Sequence, residues 1–308
     1  MKNSKGLVGA GSLQLTAPPT FKITEIDEHL KWNPYIWSGY RENYTFGQCL
    51  YSFFTIHNES VNVWSHFAAV LVFAWAMHHT LFDVLLPSTS LLHLVIWATF
   101  FLTAIACFAG SAVYHLFFPQ SVAAVYWLGI LDFTGIAALV LGSYFPPVFY
   151  GFHCFPFWQR LYITSISLLG TVTLVAPWFR FFHSQRYLAI RVSLYAMVAV
   201  AGIVPAVHSY FLLQTIPHNY TDGSFDEVYH RLYIMYGLYT IGVLFYMSKF
   251  PESRFPGQFD IWFNSHQWWH LLVVCGTLVH WSNCLLIYDN YLKLLSFCPA
   301  DSAAPLPW

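Results

Sequence analysis

His266 and His270 stand four residues apart in Ser265-His-Gln-Trp-Trp-His270, at the head of an apolar stretch. Residues at that spacing share one face of a helix, so both imidazoles can approach a single metal ion from the same side. Ionisable side chains at membrane depth are costly to keep there and mark functional sites by default. Three further groups fit with this pair: His115, Asp132, and Ser111 one turn before His115 on the same face. Three neutral imidazoles with an open fourth position are the arrangement of a catalytic zinc site, in which water fills the opening. Zn2+ brings the pKa of that water toward neutrality and polarises a carbonyl, while a carboxylate such as Asp132 accepts the water's proton. Such a site can hydrolyse an amide or ester, and within reach of lipid the natural substrate is a lipid whose scissile bond sits near the headgroup.

Each residue also has a plainer reading. Most intramembrane histidines are satisfied by hydrogen bonds to neighbouring helices, and His66, His93, His208 and His280 are assigned to that class. Asp132 alone would stabilise a helix N-terminus. Ser111 alone would be an ordinary small residue packed between helices. What favours the metal is agreement in depth between residues from three separate segments.

The elements that must position these groups follow from composition. The chain has 308 residues, of which 57% are hydrophobic and only 9% charged, with a net charge of −1. Mean hydropathy is +0.52. These values indicate a membrane protein and leave no basic surface for nucleic acid. Apolar runs near 61–81, 91–118, 122–145, 158–179, 188–214, 229–248 and 265–289 predict an all-α, seven-helix transmembrane bundle. Pro119, the Pro146-Pro147 pair, Pro217 and Pro251 are expected to break the chain between spans, while Pro177 and Pro205 are expected to kink helices. On this reading residues 1–60 form an N-terminal region, 61–289 the membrane domain and 290–308 a tail. The polar first residues, 1–22, contain no apolar core of a cleavable signal.

Lys and Arg placement predicts orientation. Lys2, Lys5, Lys22, Lys31, Arg41, Arg180, Arg186, Arg191, Lys249 and Arg254 share one side, which puts the N-terminus in the cytoplasm and the C-terminus outside or in a lumen. His115, Asp132, His266 and His270 then lie in the inner-leaflet half. That orientation is opposite to a G-protein-coupled receptor, and the chain has neither an Asp-Arg-Tyr after the third span nor an Asn-Pro-x-x-Tyr in the seventh. The six cysteines show no Cys-x-x-Cys spacing, which argues against thiolate zinc and dithiol redox chemistry. Cys154 and Cys298 fall on the same outer side and are candidates for a disulfide. Asn219-Tyr-Thr221 is a candidate glycosylation triplet in an outer loop.

Longer motifs carry a resemblance. Asn33-Pro-Tyr-Ile, Ser38-Gly-Tyr-Arg41, His57-Asn-Glu-Ser-Val-Asn-Val-Trp-Ser-His66, Ser111-Ala-Val-Tyr-His115, Leu131-Asp-Phe-Thr-Gly-Ile136, Gly142-Ser-Tyr and the run Phe255 to His270 are together similar to the progestin and adiponectin-receptor family, which includes the haemolysin III proteins. The adiponectin-receptor branch is the more similar. The resemblance implies a zinc ion held by His115, His266 and His270, with Asp132 holding the zinc-bound water and Ser111 beside it. It also implies hydrolysis of ceramide to sphingosine and a fatty acid, and signalling that adjusts lipid metabolism. The segment Leu116-Phe-Phe-Pro-Gln-Ser121 departs from the basic turn of that branch, and the short outer loops leave a large protein ligand little to grip.

Two functions emerge: a zinc-dependent lipid amide hydrolase, or a receptor or scaffold whose zinc is structural and whose cytoplasmic partners read a conformational change. A ligand at the outer face fits either. A transporter fits less well, because no paired broken helices recur in the two halves. The plasma membrane is the expected location, ahead of Golgi and endoplasmic reticulum.

Overall fold

The computed structural model describes residues 18–85, 90–213 and 224–295 together with Cys298. The helices are α1 (Phe46–Ser52), α2 (Ser60–His79), α3 (Leu91–Phe117), α4 (Val122–Ser143), α5 (Phe145–Gly151), α6 (Pro156–Val175), α7 (Leu188–Ala201), α8 (Ile203–Leu213), α9 (Ser224–Ser248) and α10 (Ser265–Leu294). They form a bundle in which α3 packs between α2 and α4, and α10 packs along α9. The interior is aromatic: Phe73, Trp97, Phe100, Phe101 and Phe108 are fully buried, with Tyr150 and Tyr288 against them. Large apolar side chains such as Leu71, Trp75, Leu102 and Leu168 face outward. A helix apolar on its outer side as well as its inner one belongs in lipid.

The expected seven spans are not what the structure shows. Among the described residues, six helical stretches are long and apolar enough to cross a membrane: Ser60–Val84, Leu91–Gln120, Val122–Gly151, Pro156–Trp178, Leu188–Leu213 and Ser265–Leu294. The segment expected at 229–248 is helical, as α9, but it is not among the six. The reason lies in its side chains. Asp226, Glu227, His230 and Arg231 occupy its first turns, and Tyr229, Tyr233, Tyr236, Tyr239 and Tyr246 replace aliphatic residues along it. Several of those hydroxyls are used inside the bundle: Tyr236 donates to the Ala199 carbonyl at 2.9 Å, and Tyr229 and Tyr239 pair with Ser209 and Thr277 at 3.1 and 3.2 Å. The expected placement of the termini on opposite faces rested on an odd number of crossings and loses that basis. The basic-residue pattern weakens too, because Arg41 and Arg191 are buried structural groups.

Pro146, Pro147 and Pro177 behave differently from expectation. Pro146 and Pro147 sit in the first turn of α5, where a missing N–H is harmless, and the span runs on to Gly151. Pro177 lies beyond the end of α6, in a 3-10 turn. The break between α7 and α8 falls at Gly202, three residues before Pro205. The Tyr144 hydroxyl fills that break: it donates toward the Val198 and Ala199 carbonyls at 2.7 and 2.8 Å and accepts from Gly202 N at 3.1 Å. A Cβ at Gly202 would stand 2.2 Å from the Tyr144 ring, so only glycine fits.

Residues 18–59 fold under one end of the bundle. Phe21 and Tyr40 form an antiparallel bridge there. The Asp260 carboxylate accepts from Trp37 N at 2.9 Å and Ser38 Oγ at 2.6 Å, and Glu252 accepts from Asn33 Nδ2 at 3.0 Å and Ser265 N at 2.8 Å. The N-terminal motifs are thus clips between this segment and the turn that leads into α10. At the opposite end a disulfide joins Cys154 to Cys298, as the sequence suggested. Asn219 and Pro217 lie outside the described residues.

Candidate metal centre

Two helix ends and the middle of a third helix carry the candidate residues. His115 is in the last turn of α3. His266 and His270 are in the first turns of α10, whose start is fixed by the Asn264 side chain accepting from Gln267 N at 3.1 Å. Asp132 lies midway along α4, which the Ser121 side chain caps by accepting from Ala124 N at 3.1 Å. Helices α3 and α4 approach closely at Gly135, where a Cβ would stand 2.8 Å from Cys107 Cα. That approach puts Ser111 of α3 beside Asp132 of α4 on the wall of one cavity.

The three imidazoles converge through their Nε2 atoms. His266 Nε2 is 3.3 Å from His115 Nε2 and 3.2 Å from His270 Nε2. Ligand nitrogens on a tetrahedral zinc stand roughly 3.3 Å apart, given zinc–nitrogen bonds of about 2.0–2.1 Å. The spacing therefore fits a small tetrahedral ion. His115 and His270 are buried, and His266 is half-buried. Asp132 is not part of this convergent group.

Around the ligands the chain supplies orienting groups that the sequence reading missed. Glu59 Oε2 lies 2.8 Å from His115 Nδ1. Burial would push the Glu59 carboxyl up, but the His115 imidazole, by hydrogen bond and charge, and then Asn62 and Arg41 hold it below the usual carboxylate range. A carboxylate on the distal nitrogen of a ligating histidine fixes its tautomer and strengthens it as a ligand. Arg41 holds the same turn from below: its guanidinium donates to the His115 carbonyl at 2.6 Å, the Leu116 carbonyl at 3.0 Å and Ser52 Oγ at 2.7 Å. Burial brings Arg41 down to about 10, which leaves it charged. The signal for both was present in the motifs Ser38-Gly-Tyr-Arg41 and His57-Asn-Glu-Ser, as charged residues set against a span with no apolar reason to be there.

The centre opens into a cavity of about 510 Å3, mostly apolar, which reaches from His66, Ser111, Asp132, His266 and His270 at one end to Asn290 and Leu294 near the disulfide. Of the histidines assigned to the core, three are satisfied as expected: His93 pairs with the Tyr150 hydroxyl at 3.2 Å, His208 with the Tyr162 hydroxyl at 2.9 Å, and His280 with the Ser143 carbonyl at 2.8 Å. His66 is not. Its ring stacks on His270 with centroids 3.8 Å apart, and neither of its nitrogens has a hydrogen-bond partner among the described residues. A second group, His153 with Cys154 and Cys298, also gathers possible ligand atoms. Its sulfurs are joined to each other, so it offers no thiolate.

Residues 54–281 match the Haemolysin-III related family. The chain is 32% identical over 275 residues to Heptahelical transmembrane protein 1 of Arabidopsis thaliana, covering 86% of this chain and 80% of that protein. It is 30% identical over 283 residues to human Progestin and adipoQ receptor family member 3, covering 91% and 88%. It is 29% identical over 272 residues to the Adiponectin receptor protein of Drosophila melanogaster, covering 85% of this chain but only 59% of that one. The matched region contains Glu59, Ser111, His115, Asp132, His266 and His270, and on this match the chain belongs to the Haemolysin-III related family.

Proposed function

We propose that the protein is a zinc-dependent, ceramidase-like hydrolase of a lipid amide, a multi-pass protein of the plasma membrane whose turnover feeds lipid-metabolic signalling. The observation that carries this reading is the convergence of three imidazole Nε2 atoms, without a fourth side-chain ligand among the described residues, beside Asp132 and a long apolar cavity. A site open on its cavity side is the catalytic pattern, whereas a structural zinc is closed by four protein ligands.

When bound, zinc would polarise the amide carbonyl and make water a better nucleophile. The rest falls to the chain. His115, His266 and His270 would hold the ion through Nε2, with Glu59 at His115 Nδ1 to fix that ring's tautomer. Asp132 takes a proton from the attacking water and returns it to the leaving amine as the carbon–nitrogen bond breaks, giving a free amine and a fatty acid. Ser111 stands beside the Asp132 carboxylate and positions it. The cavity takes the lipid chains.

A receptor is the second reading, and a specific contact favours it: residues 18–59 touch the His115 turn through both Arg41 and Glu59, so that a change at the metal is passed to one surface of the bundle. The Drosophila and human relatives are named as receptors. The experiment that tests the hydrolase is fatty-acid release from a panel of ceramides and phospholipids, read by mass spectrometry. Release that ends on zinc removal and returns on zinc addition is the expected result. No release from any lipid by the zinc-loaded protein would refute it and leave the receptor.

A further inference from the structure

At the end of the bundle away from the His115 centre, the turn between α5 and α6 carries His153 and Cys154, and the chain beyond α10 brings Cys298 against them. One ligand atom from each of the three, an imidazole nitrogen and two sulfurs, lies within 4.8 Å of the others. His153 Nδ1 stands 3.0 Å from the Tyr150 carbonyl, which only accepts, so that nitrogen carries the proton. Nε2 then turns its lone pair toward Cys154 Sγ at 3.2 Å. The Leu294 carbonyl approaches the same ring, and Tyr291 of α10 meets it edge-on with centroids 4.8 Å apart. An imidazole that gives one N–H to a backbone carbonyl and aims its other nitrogen at sulfur has the orientation of a zinc ligand. Cys154 is buried and lines the outer end of the cavity, whereas Cys298 is exposed.

We propose that His153, Cys154 and Cys298 form a second, redox-gated metal site, which takes a soft divalent cation of the zinc class once the disulfide is reduced. While the bond stands, neither sulfur is a thiolate ligand. A dithiol reductant opens it: one of its thiolates attacks Sγ of the exposed Cys298, the S–S bond breaks, and Cys154 leaves as the thiolate. The reductant's second thiolate then displaces Cys298 and closes as the reductant's own disulfide, so two electrons pass to the protein. The ion holds both sulfurs deprotonated, and any protons they had taken up go to solvent. Two thiolates on one zinc stand roughly 3.7 Å apart, given zinc–sulfur bonds of about 2.3 Å, and the exposed Cys298 side chain is free to turn to that separation. Two thiolates and an imidazole with water in the fourth position are an open zinc set, and thiolates select against harder ions such as Mg2+. The two cysteines are 144 residues apart, so no Cys-x-x-Cys spacing announces the site. In reducing surroundings the ion would tie the chain beyond α10 to the α5–α6 turn, as the disulfide does in oxidising ones. The site stands on its own ligands and does not depend on the hydrolase reading.

The test uses the purified full chain, oxidised and after reduction by a water-soluble phosphine, with thiol labelling to confirm that Cys154 and Cys298 are free. Cobalt serves as the optical probe, because cobalt bound by thiolate shows a near-ultraviolet charge-transfer band that an all-histidine centre lacks. The reduced wild type should show this band and the oxidised protein should not. Native mass spectrometry with zinc should count one more ion per chain after reduction. Cys298→Ser should lose both the band and the added ion. His153→Phe keeps both thiols and an aromatic ring against Tyr291, and should lose the added ion as well. A band that survives in Cys298→Ser comes from the other cysteines and overturns the proposal. So does equal zinc content before and after reduction, a reduced wild type without the band, an added ion that His153→Phe retains, or a bond that the phosphine cannot open in the folded chain. The oxidised and reduced forms share one polypeptide, so their comparison decides the matter even where a variant fails to fold.

Discussion

Glu59 Oε2 meets His115 Nδ1 at 2.8 Å, with both side chains almost fully buried. The contact links the residue just before α2 to the last turn of α3 and makes the candidate ligand His115 part of a carboxylate–imidazole pair. Outer partners of this kind set metal affinity about as strongly as some ligands do. Glu59→Gln should therefore weaken zinc binding by roughly 10–100-fold while leaving the helices intact. Competition against a zinc chelator reads this directly, and an unchanged affinity would remove Glu59 from the centre.

Arg41 is held by three acceptors, two of them carbonyls at the end of α3. Replacing it with methionine leaves these groups buried without donors and should cost about 2–4 kcal/mol. The melting temperature in detergent should fall accordingly. A Lys at the same position has no fork to reach all three and should recover only part of the loss.

His57 gives a pH signature outside the spans. Burial, and then the nearby Arg41 charge, bring it down to about 2 despite the Ser52 carbonyl at 3.2 Å, so it stays neutral in the folded state. An unfolded chain protonates this group near pH 6.5, so unfolding takes up a proton below that pH and stability falls as pH falls. The His57 contribution should be present above about pH 6.5 and decline by about 1.5 kcal/mol between pH 6.5 and 5. His57→Gln can still donate to Ser52 and accept from Glu59 N, so its melting temperature should fall less steeply over that interval. Parallel curves for the two proteins would show that His57 does not titrate on unfolding.

Cys154 and Cys298 are 144 residues apart in sequence. Closing a loop of that length restricts the unfolded chain, and removal of such a bond typically costs about 2–4 kcal/mol. Cys154→Ser should lower the melting temperature, and peptide mapping without reductant should recover the two cysteines on one linked fragment. Recovery of both as free thiols would contradict the pairing.

How much of this was legible in the sequence differs by residue. His266 and His270 were readable because helix periodicity is local, and a histidine pair in an apolar run has few explanations. Their meeting with His115 needed only a consistent reading of depth. Glu59 and Arg41 were not readable as parts of the centre, because their role depends on residues 18–59 folding back beneath the bundle, a long-range event with no local periodicity. For α9 the sequence misled in the other direction. Apolar residues among its tyrosines resemble a span, yet the polar groups lower its hydropathy and bond to interior partners such as Ala199 and Thr277. Pro146-Pro147 reads as a stop or as a start, and only the packing of α5 decides. His66 was read as a satisfied core residue on frequency alone; that its nitrogens are left without partners is a property of the assembled wall.

The most direct test of the account sets the wild type beside Asp132→Asn with zinc content measured in both. Asparagine keeps the shape of the side chain beside Ser111 but cannot take up a proton. The account predicts equal zinc in the two proteins, fatty-acid release from a ceramide by the wild type, and a loss of at least about 100-fold in the variant. Equal release from both, or none from either with zinc in place, would contradict it.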